Sequence, residues 1–242
     1  MKQLFSVVFL LLIAAGWAPA QDTIPSSGGF TFTDEVIIPS TPVKDQYRTS
    51  TCWSFGGLAM LEAELLRLKK PETDLSEMFI VYHAYTDKAE KYVRMHVNSN
   101  FGSGGAFHDV INVIREHGIV PEEVYKGLQY GEEKHIHGEM DDLLREAVEA
   151  VVKNSNGKLS SVWRDAVICT LNTYLGELPE KFEYQGKSWS PQSFWRDYMG
   201  LNPDDYVEIT SFTHHPYYSK FILEIPDNWS WDDMYNLPLN DL

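Results

Sequence analysis

The sequence predicts an α+β fold in which a long helical part is followed by a smaller part rich in strands. Up to about residue 176, apolar residues recur at three- and four-residue spacing, which is typical of amphipathic helices. Beyond about residue 179, short β-branched and aromatic runs alternate with turn residues, which favours strands. With 242 residues, 43% of them hydrophobic, the chain can bury the core of one large domain or two small ones.

The N-terminus has the pattern of a secretory signal peptide over residues 1–20. Lys2 precedes the apolar run Leu4–Ala15, and the small residues Ala18-Pro19-Ala20 come next, so the mature chain is predicted to begin at Gln21. A retained anchor is the alternative. We therefore expect an exported protein, periplasmic or secreted, with no membrane association once the signal is removed.

Three helices are predicted in the first half, after a flexible leading segment, a short strand at Glu35–Pro39 and a polar loop at Thr41–Thr51. The first helix begins near Cys52 and runs to about Lys70. The second follows Asp74–Glu77, whose short polar side chains favour N-caps. The third begins at Phe107, after a glycine-rich loop, and ends at Gly118. Their core faces are assigned to Leu58, Leu61, Leu65 and Leu68 in the first helix and to Phe107, Val110, Ile111 and Ile114 in the third.

The pattern stays helical to about Gly176, with one break at Asn154–Gly157. A hairpin is then predicted around a Gln185-Gly186 turn. Two further strands are predicted at Tyr206–Ser211 and Lys220–Ile225.

The chain is acidic, with a formal net charge of −15, or −16 without Lys2. Phosphate backbones require Lys and Arg, so this balance argues against nucleic acid as a partner. Only two cysteines are present, Cys52 and Cys169. They could form a disulfide with each other, but Cys169 lies in a predicted amphipathic helix, where a buried thiol is expected.

Cys52 has different surroundings. It begins a predicted helix, where unpaired N–H groups and the helix dipole favour a thiolate over a thiol. Gln46, six residues earlier, can fold back beside the sulfur and donate, with the N–H of Cys52, to the oxygen of a tetrahedral intermediate. On spacing alone, a buried thiol beside a polar loop is an equal alternative.

The run from Gln46 through Cys52-Trp53-Ser54-Phe55 resembles the nucleophile motif of the papain superfamily of cysteine peptidases. Downstream, Leu75-Ser76-Glu77 is similar to that family's Leu-Ser-Glu, and Gly104-Gly105 is similar to its paired glycines. The resemblance implies a papain-like fold in which Cys52 is the nucleophile and Gln46 the oxyanion donor. It also implies that Trp53, Gly104 and Gly105 contribute to substrate binding.

Thr49 stands where most papain-like enzymes have a disulfide cysteine. Together with the stretch from Pro179 to Phe194, it makes the chain similar to the bleomycin hydrolase and aminopeptidase C branch. That likeness implies peptide substrates, no cofactor and homo-oligomeric ring assembly. The implied organisation is a papain-like helical half at 35–120, a mostly helical insertion with the hairpin at 121–205, and the start of a β-rich half at 206–242. Residues 21–34 are the flexible leading segment.

The branch uses a catalytic His that starts a late strand and an Asn in an Asn-Ser-Trp motif, and none of the eight histidines has that context. His214 and His215 are 162 and 163 residues after Cys52, but Pro216 follows them directly. The nearby Asn228-Trp229-Ser230 inverts the expected order. We therefore expect the chain to be incomplete at its C-terminus.

Other chemistries have weaker patterns. His135 and His137 could ligate a metal, but no third ligand is marked and solvated histidines are the simpler interpretation, so no metal is predicted. The glycines at 102–105 lack the strand and Lys of a phosphate loop. The predicted function is an exported cysteine-type peptidase acting through an acyl-enzyme. The alternatives are an inactive papain-like chain that binds peptides or partners, and a papain-like amidase or acyltransferase.

Overall fold

The computed structural model describes residues 35–242, so the predicted signal peptide and the leading segment at 21–34 lie outside the described residues. The strand predicted at Glu35–Pro39 is wrong, because those residues are irregular and the first regular element begins at Cys52. A β-branched run forms a strand only where another strand pairs with it. Residues 38–242 form one compact unit.

Five long helices form most of this unit. They are α1 (Cys52–Arg67), α2 (Glu77–Arg94), α3 (Phe107–His117), α4 (Gly138–Val152) and α5 (Trp163–Leu175). The three N-terminal helices predicted from spacing are confirmed, with α1 ending three residues earlier than expected. The predicted leucine face is buried except for Leu68, which is 41% exposed because it lies beyond the end of α1.

Helix α2 is at the centre of the helical core and contacts each of the other four. Ser76 caps its N-terminus, where Oγ accepts a hydrogen bond from the N–H of Phe79 (3.1 Å) and donates one to the carbonyl of Tyr125 (2.6 Å). Twelve of its 18 residues are buried, because neighbouring helices cover it on several sides.

The predicted hairpin is confirmed as an antiparallel pair, β1 (Phe182–Tyr184) and β2 (Lys187–Trp189). Gln185 and Gly186 have φ values of +49° and +75°, which suits a tight two-residue turn with the twist of the flanking strands. A short helical turn, Pro191–Ser193, follows and continues into a π-helix at Phe194–Met199. The ring of Phe194 packs against Phe182, Tyr184 and Trp189.

A second, three-stranded sheet has the order β3-β5-β4 and follows a 3₁₀ turn at Pro203–Asp205. Its strands are β3 (Ile209–Thr210), β4 (Ser219–Ile222) and β5 (Asp233–Asn236), and a last 3₁₀ turn spans Leu239–Asp241. Strand β3 lies inside the predicted run Tyr206–Ser211, and β4 begins one residue before the predicted run Lys220–Ile225. Strand β5 was not predicted, because its run is only four residues long and half polar. Met234 of β5 forms a small buried cluster with Phe221 and Leu223. Ala106, next to the glycine loop, packs against this cluster.

Besides Leu68, two predicted core positions are wrong. Cys169 is exposed, because it is two residues from Val167, on the opposite side of α5 from the buried Trp163, Val167 and Leu171. Phe107 is 55% exposed at the start of α3. Over the described residues, no helix is both long enough and apolar enough to cross a bilayer.

Candidate active site

Cys52 is the first residue of α1, and its side chain is exposed to solvent. The first four N–H groups of a helix have no partner within the helix. Neither the N–H nor the thiol of Cys52 forms a hydrogen bond with any residue that the structure describes. The sulfur therefore lies at the positive end of α1, beside a backbone donor that is available to a ligand.

The loop before Cys52 is held by a pair of buried threonines. Thr49 and Thr51 are 1% and 0% exposed, and their hydroxyl oxygens lie 2.6 Å apart in a hydrogen bond. The resemblance places a disulfide cysteine at position 49, and here a hydroxyl pair ties down the same part of the loop. Tyr47 and Ser50 have φ values of +50° and +56°, a backbone conformation that costs energy for residues other than glycine.

Lys44 ties the start of this loop to α1 and α2. Its ammonium contacts Glu62 Oε1 at 2.8 Å, Glu77 Oε1 at 2.7 Å and Asp74 Oδ1 at 2.5 Å. Glu62 also accepts a hydrogen bond from the N–H of Leu75 (2.8 Å). Burial opposes the charge, but the three carboxylates raise the pKa of Lys44 above its ordinary value.

Gln46 is half buried, and its amide oxygen is buried without a hydrogen-bond partner among the described residues. The structure records no hydrogen bond between Gln46 and Cys52. Two residues on, Arg48 exchanges backbone hydrogen bonds with the segment 135–137, at 3.1 Å from its N–H to the carbonyl of His135 and 3.1 Å from the N–H of His137 to its carbonyl. The backbone bonds of Arg48 thus hold the loop that carries Gln46. The side-chain amide of Gln46 forms no hydrogen bond with the described residues.

The expectation that His135 and His137 are solvated is wrong for His137, which is 1% exposed because the segment 135–137 pairs with Arg48. Burial, with a smaller effect of His135, lowers the pKa of His137 to about 4. No third metal-ligating side chain among the described residues joins the pair. These histidines therefore support the nucleophile loop structurally.

Trp53 connects Cys52 to the glycine loop. Its ring is 4% exposed, and its Nε1 donates to the carbonyl of Ser103 (3.0 Å). A methyl group at Gly105 would lie 2.7 Å from the indole Cε2, so the ring is in direct contact with the backbone of Gly105. The structure thus brings three of the predicted site residues, Trp53, Gly104 and Gly105, to one place beside the N-terminus of α1.

Lys88 holds the glycine loop from behind. Its Nζ donates to the carbonyls of Gly102 (2.9 Å) and Gly104 (2.5 Å), and the side chain is 2% exposed. The ammonium also lies 5.6 Å from the ring centres of Trp53 and Trp229. Burial lowers the pKa of Lys88 to about 8, although nearby carboxylates oppose that shift.

Asp109 joins the same cluster at the start of α3. Its Oδ2 accepts hydrogen bonds from the N–H of Ala106 (2.8 Å) and from Trp229 Nε1 (2.9 Å). Burial raises the pKa of Asp109, in part offset by the Ala106 N–H and His108. Trp229 belongs to the segment before β5, so this carboxylate fixes that segment to the glycine loop.

His108 attaches a second part of the late chain to α3. Its Nδ1 lies 2.6 Å from Glu208 Oε2, and its Nε2 lies 3.0 Å from Ser230 Oγ. Burial would lower the pKa of His108, but Glu208 and Asp109 outweigh it and the pKa is raised. Its ring nitrogens are used in these contacts, so His108 positions the segment around Ser230 rather than facing Cys52.

None of the eight histidines, all of which lie in the described part of the chain, forms a hydrogen bond with the thiol of Cys52. His214 and His215 lie beside Glu224 instead, with Nε2 to carboxylate distances of 3.5 and 3.1 Å. Asn228 donates to the carbonyls of Leu223 and Asp232 (both 3.1 Å), so it stabilises a turn.

Sequence reasoning missed Lys88, Asp109 and Trp229. Lys88 is three residues after Tyr85 and four before Tyr92, and both tyrosines are buried. This helical spacing places Lys88 on the same inward-facing side of α2. Asp109 is three residues after the N-cap of α3, a position that favours carboxylates. Nothing local identified Trp229, because its partner lies 120 residues away.

Comparisons with known proteins agree on one family. The family model described as the Peptidase C1-like family matches residues 21–235. Aminopeptidase G of Lactobacillus delbrueckii subsp. lactis is 22% identical to this chain, covering 84% of it and 54% of that protein. Aminopeptidase C of Lactococcus lactis subsp. lactis is 22% identical over 80% of this chain and 52% of that protein.

The fold is similar to that of a solved structure, PepW from Lactobacillus rhamnosis HN001. The TM-score is 0.68 with 21% sequence identity, over 87% of this chain and 56% of PepW. The predicted papain-like α+β fold is thereby confirmed. The chain spans about half the length of the curated relatives that it matches.

Proposed function

The chain belongs to the Peptidase C1-like family, and from this membership we propose that it is a cysteine-type peptidase of the aminopeptidase kind with Cys52 as its nucleophile. The observation that carries the proposal is the position of Cys52. It is an exposed thiol at the first residue of α1, with a free backbone N–H beside it and Trp53 packed on the glycine loop.

In the proposed reaction, the Cys52 thiolate attacks the carbonyl carbon of a peptide bond and forms a carbon–sulfur bond. The electron pair of the carbonyl moves to its oxygen, which the N–H of Cys52 and the amide of Gln46 stabilise. Collapse of this intermediate expels the amine, which takes up a proton, and water then hydrolyses the thioester. No described histidine forms a hydrogen bond with Cys52, so we assign no residue of this chain as the proton donor.

The glycine loop is proposed to bind the substrate backbone. Gly104 and Gly105 are partly exposed, and Lys88 and Trp53 fix the loop through the carbonyls of Gly102, Gly104 and Ser103. Preformed backbone groups reduce the ordering cost of binding.

We also propose that the protein is exported and that it assembles into a ring. The pattern of residues 1–20 supports export to the periplasm or beyond the cell. The likeness to the bleomycin hydrolase and aminopeptidase C branch supports assembly into a homo-oligomeric ring. Both can be checked on the intact gene product, by N-terminal sequencing of the secreted form and by its mass in solution.

The test uses the full chain with fluorogenic aminoacyl amides and short peptides. We expect slow thiol-dependent cleavage that is abolished in Cys52→Ser and retained in the matched control Cys169→Ser. Gln46→Ala should reduce the rate by about 10²–10³ through loss of one oxyanion donor.

One outcome would favour the non-catalytic alternative. Peptides would then bind to the wild type and to Cys52→Ser with equal affinity, and no cleavage would occur in either. Cleavage that persists in Cys52→Ser would contradict the assignment of the nucleophile.

A further inference from the structure

A group of metal-ligating side chains lies away from Cys52, where α2 packs against the end of α3. It consists of Asp87 from α2 and Glu116 and His117 from the last turn of α3, with ligand atoms all within 4.8 Å of one another. We call these residues the α2–α3 cluster. The C-terminal end of a helix carries partial negative charge, which favours a cation there.

Two polar groups of this cluster form no hydrogen bond with the residues that the structure describes, and one of them is buried. His117 Nε2 is buried without a hydrogen-bond partner, 4.0 Å from Glu116 Oε1. The carboxylate of Asp87 makes no hydrogen bond or ion pair with any residue that the structure describes. A buried polar atom without a partner costs free energy, so such a group in a native fold calls for an explanation.

Three cations that adjoin the cluster in sequence have partners elsewhere. Lys88 binds the glycine loop, Lys91 donates to the carbonyl of Ser230 (2.6 Å), and Arg115 contacts Asp204 (3.1 Å). Glu90 of the same helix is paired with Arg94 and Arg164. Among the described residues, no Lys or Arg forms an ion pair with Asp87 or Glu116.

His83 fixes the imidazole of His117. The two rings are stacked, with centres 3.8 Å apart and planes 10° from parallel. His83 and Asp87 are four residues apart on α2, so they share one face of that helix. Rings in such a stack are restricted in rotation, so the imidazole of His117 is held in one orientation.

We propose that the α2–α3 cluster is a binding site for a divalent transition-metal ion of the zinc class, with Asp87, Glu116 and His117 as ligands. One imidazole nitrogen and two carboxylates suit Zn²⁺, whereas Ca²⁺ and Mg²⁺ take oxygen ligands only. Ligand distances of ~2.1 Å to the metal need side-chain adjustments of about 1 Å from the present spacing. Glu116 is 72% exposed on its side chain, so an ion can enter from solvent.

Bound metal would join α2 to α3 behind the substrate loop. Asp87 directly precedes Lys88, which holds Gly102 and Gly104, and α3 begins two residues after Gly105. The ion would therefore stabilise the helix pair that positions the glycine loop, without touching the nucleophile.

The test is titration of the full chain with ZnCl₂ by calorimetry, after both thiols have been blocked with iodoacetamide so that Cys52 and Cys169 cannot bind zinc. We expect one ion per chain, and a rise in melting temperature with Zn²⁺ but not with Mg²⁺. X-ray absorption at the zinc edge should show one imidazole together with oxygen ligands. The isosteric double variant Asp87→Asn/His117→Gln should bind at least tenfold more weakly.

The control is the exposed cluster of His214, His215 and Glu224, altered as His214→Asn/His215→Asn, which should leave the affinity unchanged. If the first double variant does not fold, Glu116→Gln replaces it, since an exposed side chain can be changed with little effect on folding. Three outcomes would overturn the proposal. Zinc binding could survive both Asp87→Asn/His117→Gln and Glu116→Gln, it could be lost in the control variant, or it could fail to occur in the wild type.

Discussion

The indole ring of Trp53 lies against Gly105, so closely that a methyl group there would be 2.7 Å from Cε2, 2.8 Å from Cδ2 and 3.0 Å from Asp109 Oδ2. All three atoms belong to buried groups, and Trp53 is the residue after Cys52. The absence of a side chain at Gly105 is therefore required for the glycine loop to reach the N-terminus of α1.

Gly105→Ala should destabilise the fold by about 1–3 kcal/mol, because the ring and the carboxylate must shift in a packed interior. Denaturant unfolding of the purified chain measures the change. Gly102→Ala is the matched control in the same loop, since a methyl group there would lie 3.7 Å from the nearest atom, in Asn100, and should be close to neutral. Equal effects of the two substitutions would show that Gly105 is not under this constraint.

The reactivities of the two thiols should differ although both are exposed. Cys52 lies at the N-terminus of α1 and Cys169 in the middle of α5, so only Cys52 is close to unpaired helix N–H groups. Iodoacetamide at neutral pH should modify Cys52 at least about tenfold faster than Cys169, as followed by mass spectrometry of the two peptides. Equal rates would argue against an activated nucleophile.

The sequence predicted the elements whose cause is local. The leucine spacing in α1, the Ser76 cap of α2 and the Gln185-Gly186 turn each depend on neighbours within a few residues, and the structure has all three. The glycines of the candidate site could be predicted from the motif alone. The contacts that hold those glycines in place could not be predicted, because Lys88 and Trp229 act between distant parts of the chain.

The wrong predictions have two causes. Cys169 was expected to be buried because its helix is amphipathic, but it is two residues from Val167 and so lies on the side of α5 opposite the buried face, which the helical spacing already indicates. His137 was expected to be solvated because its neighbours are charged, but its segment pairs with Arg48, 89 residues earlier. A charge pattern describes a segment, and it does not show which single side chain the fold covers.

Lys44 should be important for stability because it compensates buried carboxylates. Glu62 has a fully buried side chain and that of Glu77 is 5% exposed, so Lys44→Met would leave buried negative charge without a partner. We expect a loss of about 3 kcal/mol in the free energy of unfolding, measured by denaturant titration.

Two variants test that explanation. Lys134→Met removes an exposed ion pair with Asp45 and should cost less than about 1 kcal/mol. Lys44→Met/Glu62→Gln removes one buried charge together with its partner, so it should be more stable than Lys44→Met alone. A double variant as unstable as the single one would show that Lys44 acts through packing.

His137 should contribute to loss of stability in acid. Burial lowers its pKa to about 4 in the folded chain, against about 6.5 when unfolded. The unfolded state therefore binds more protons between these values, and the stability that is present above pH ~6.5 is lost as the pH falls towards 4. The slope is about 1.4 kcal/mol per pH unit for a single group.

His137→Leu should remove this part of the pH dependence while the backbone bonds to Arg48 remain. Stability measured by denaturant unfolding should fall less steeply from pH 6.5 to 5 in the variant than in the wild type. His96→Asn is the control, because His96 is exposed in a turn with φ of +49°, a conformation that Asn tolerates. Its pH dependence should match that of the wild type. Parallel curves for His137→Leu and the wild type would mean that His137 becomes protonated without unfolding, which its burial beside the nucleophile loop argues against.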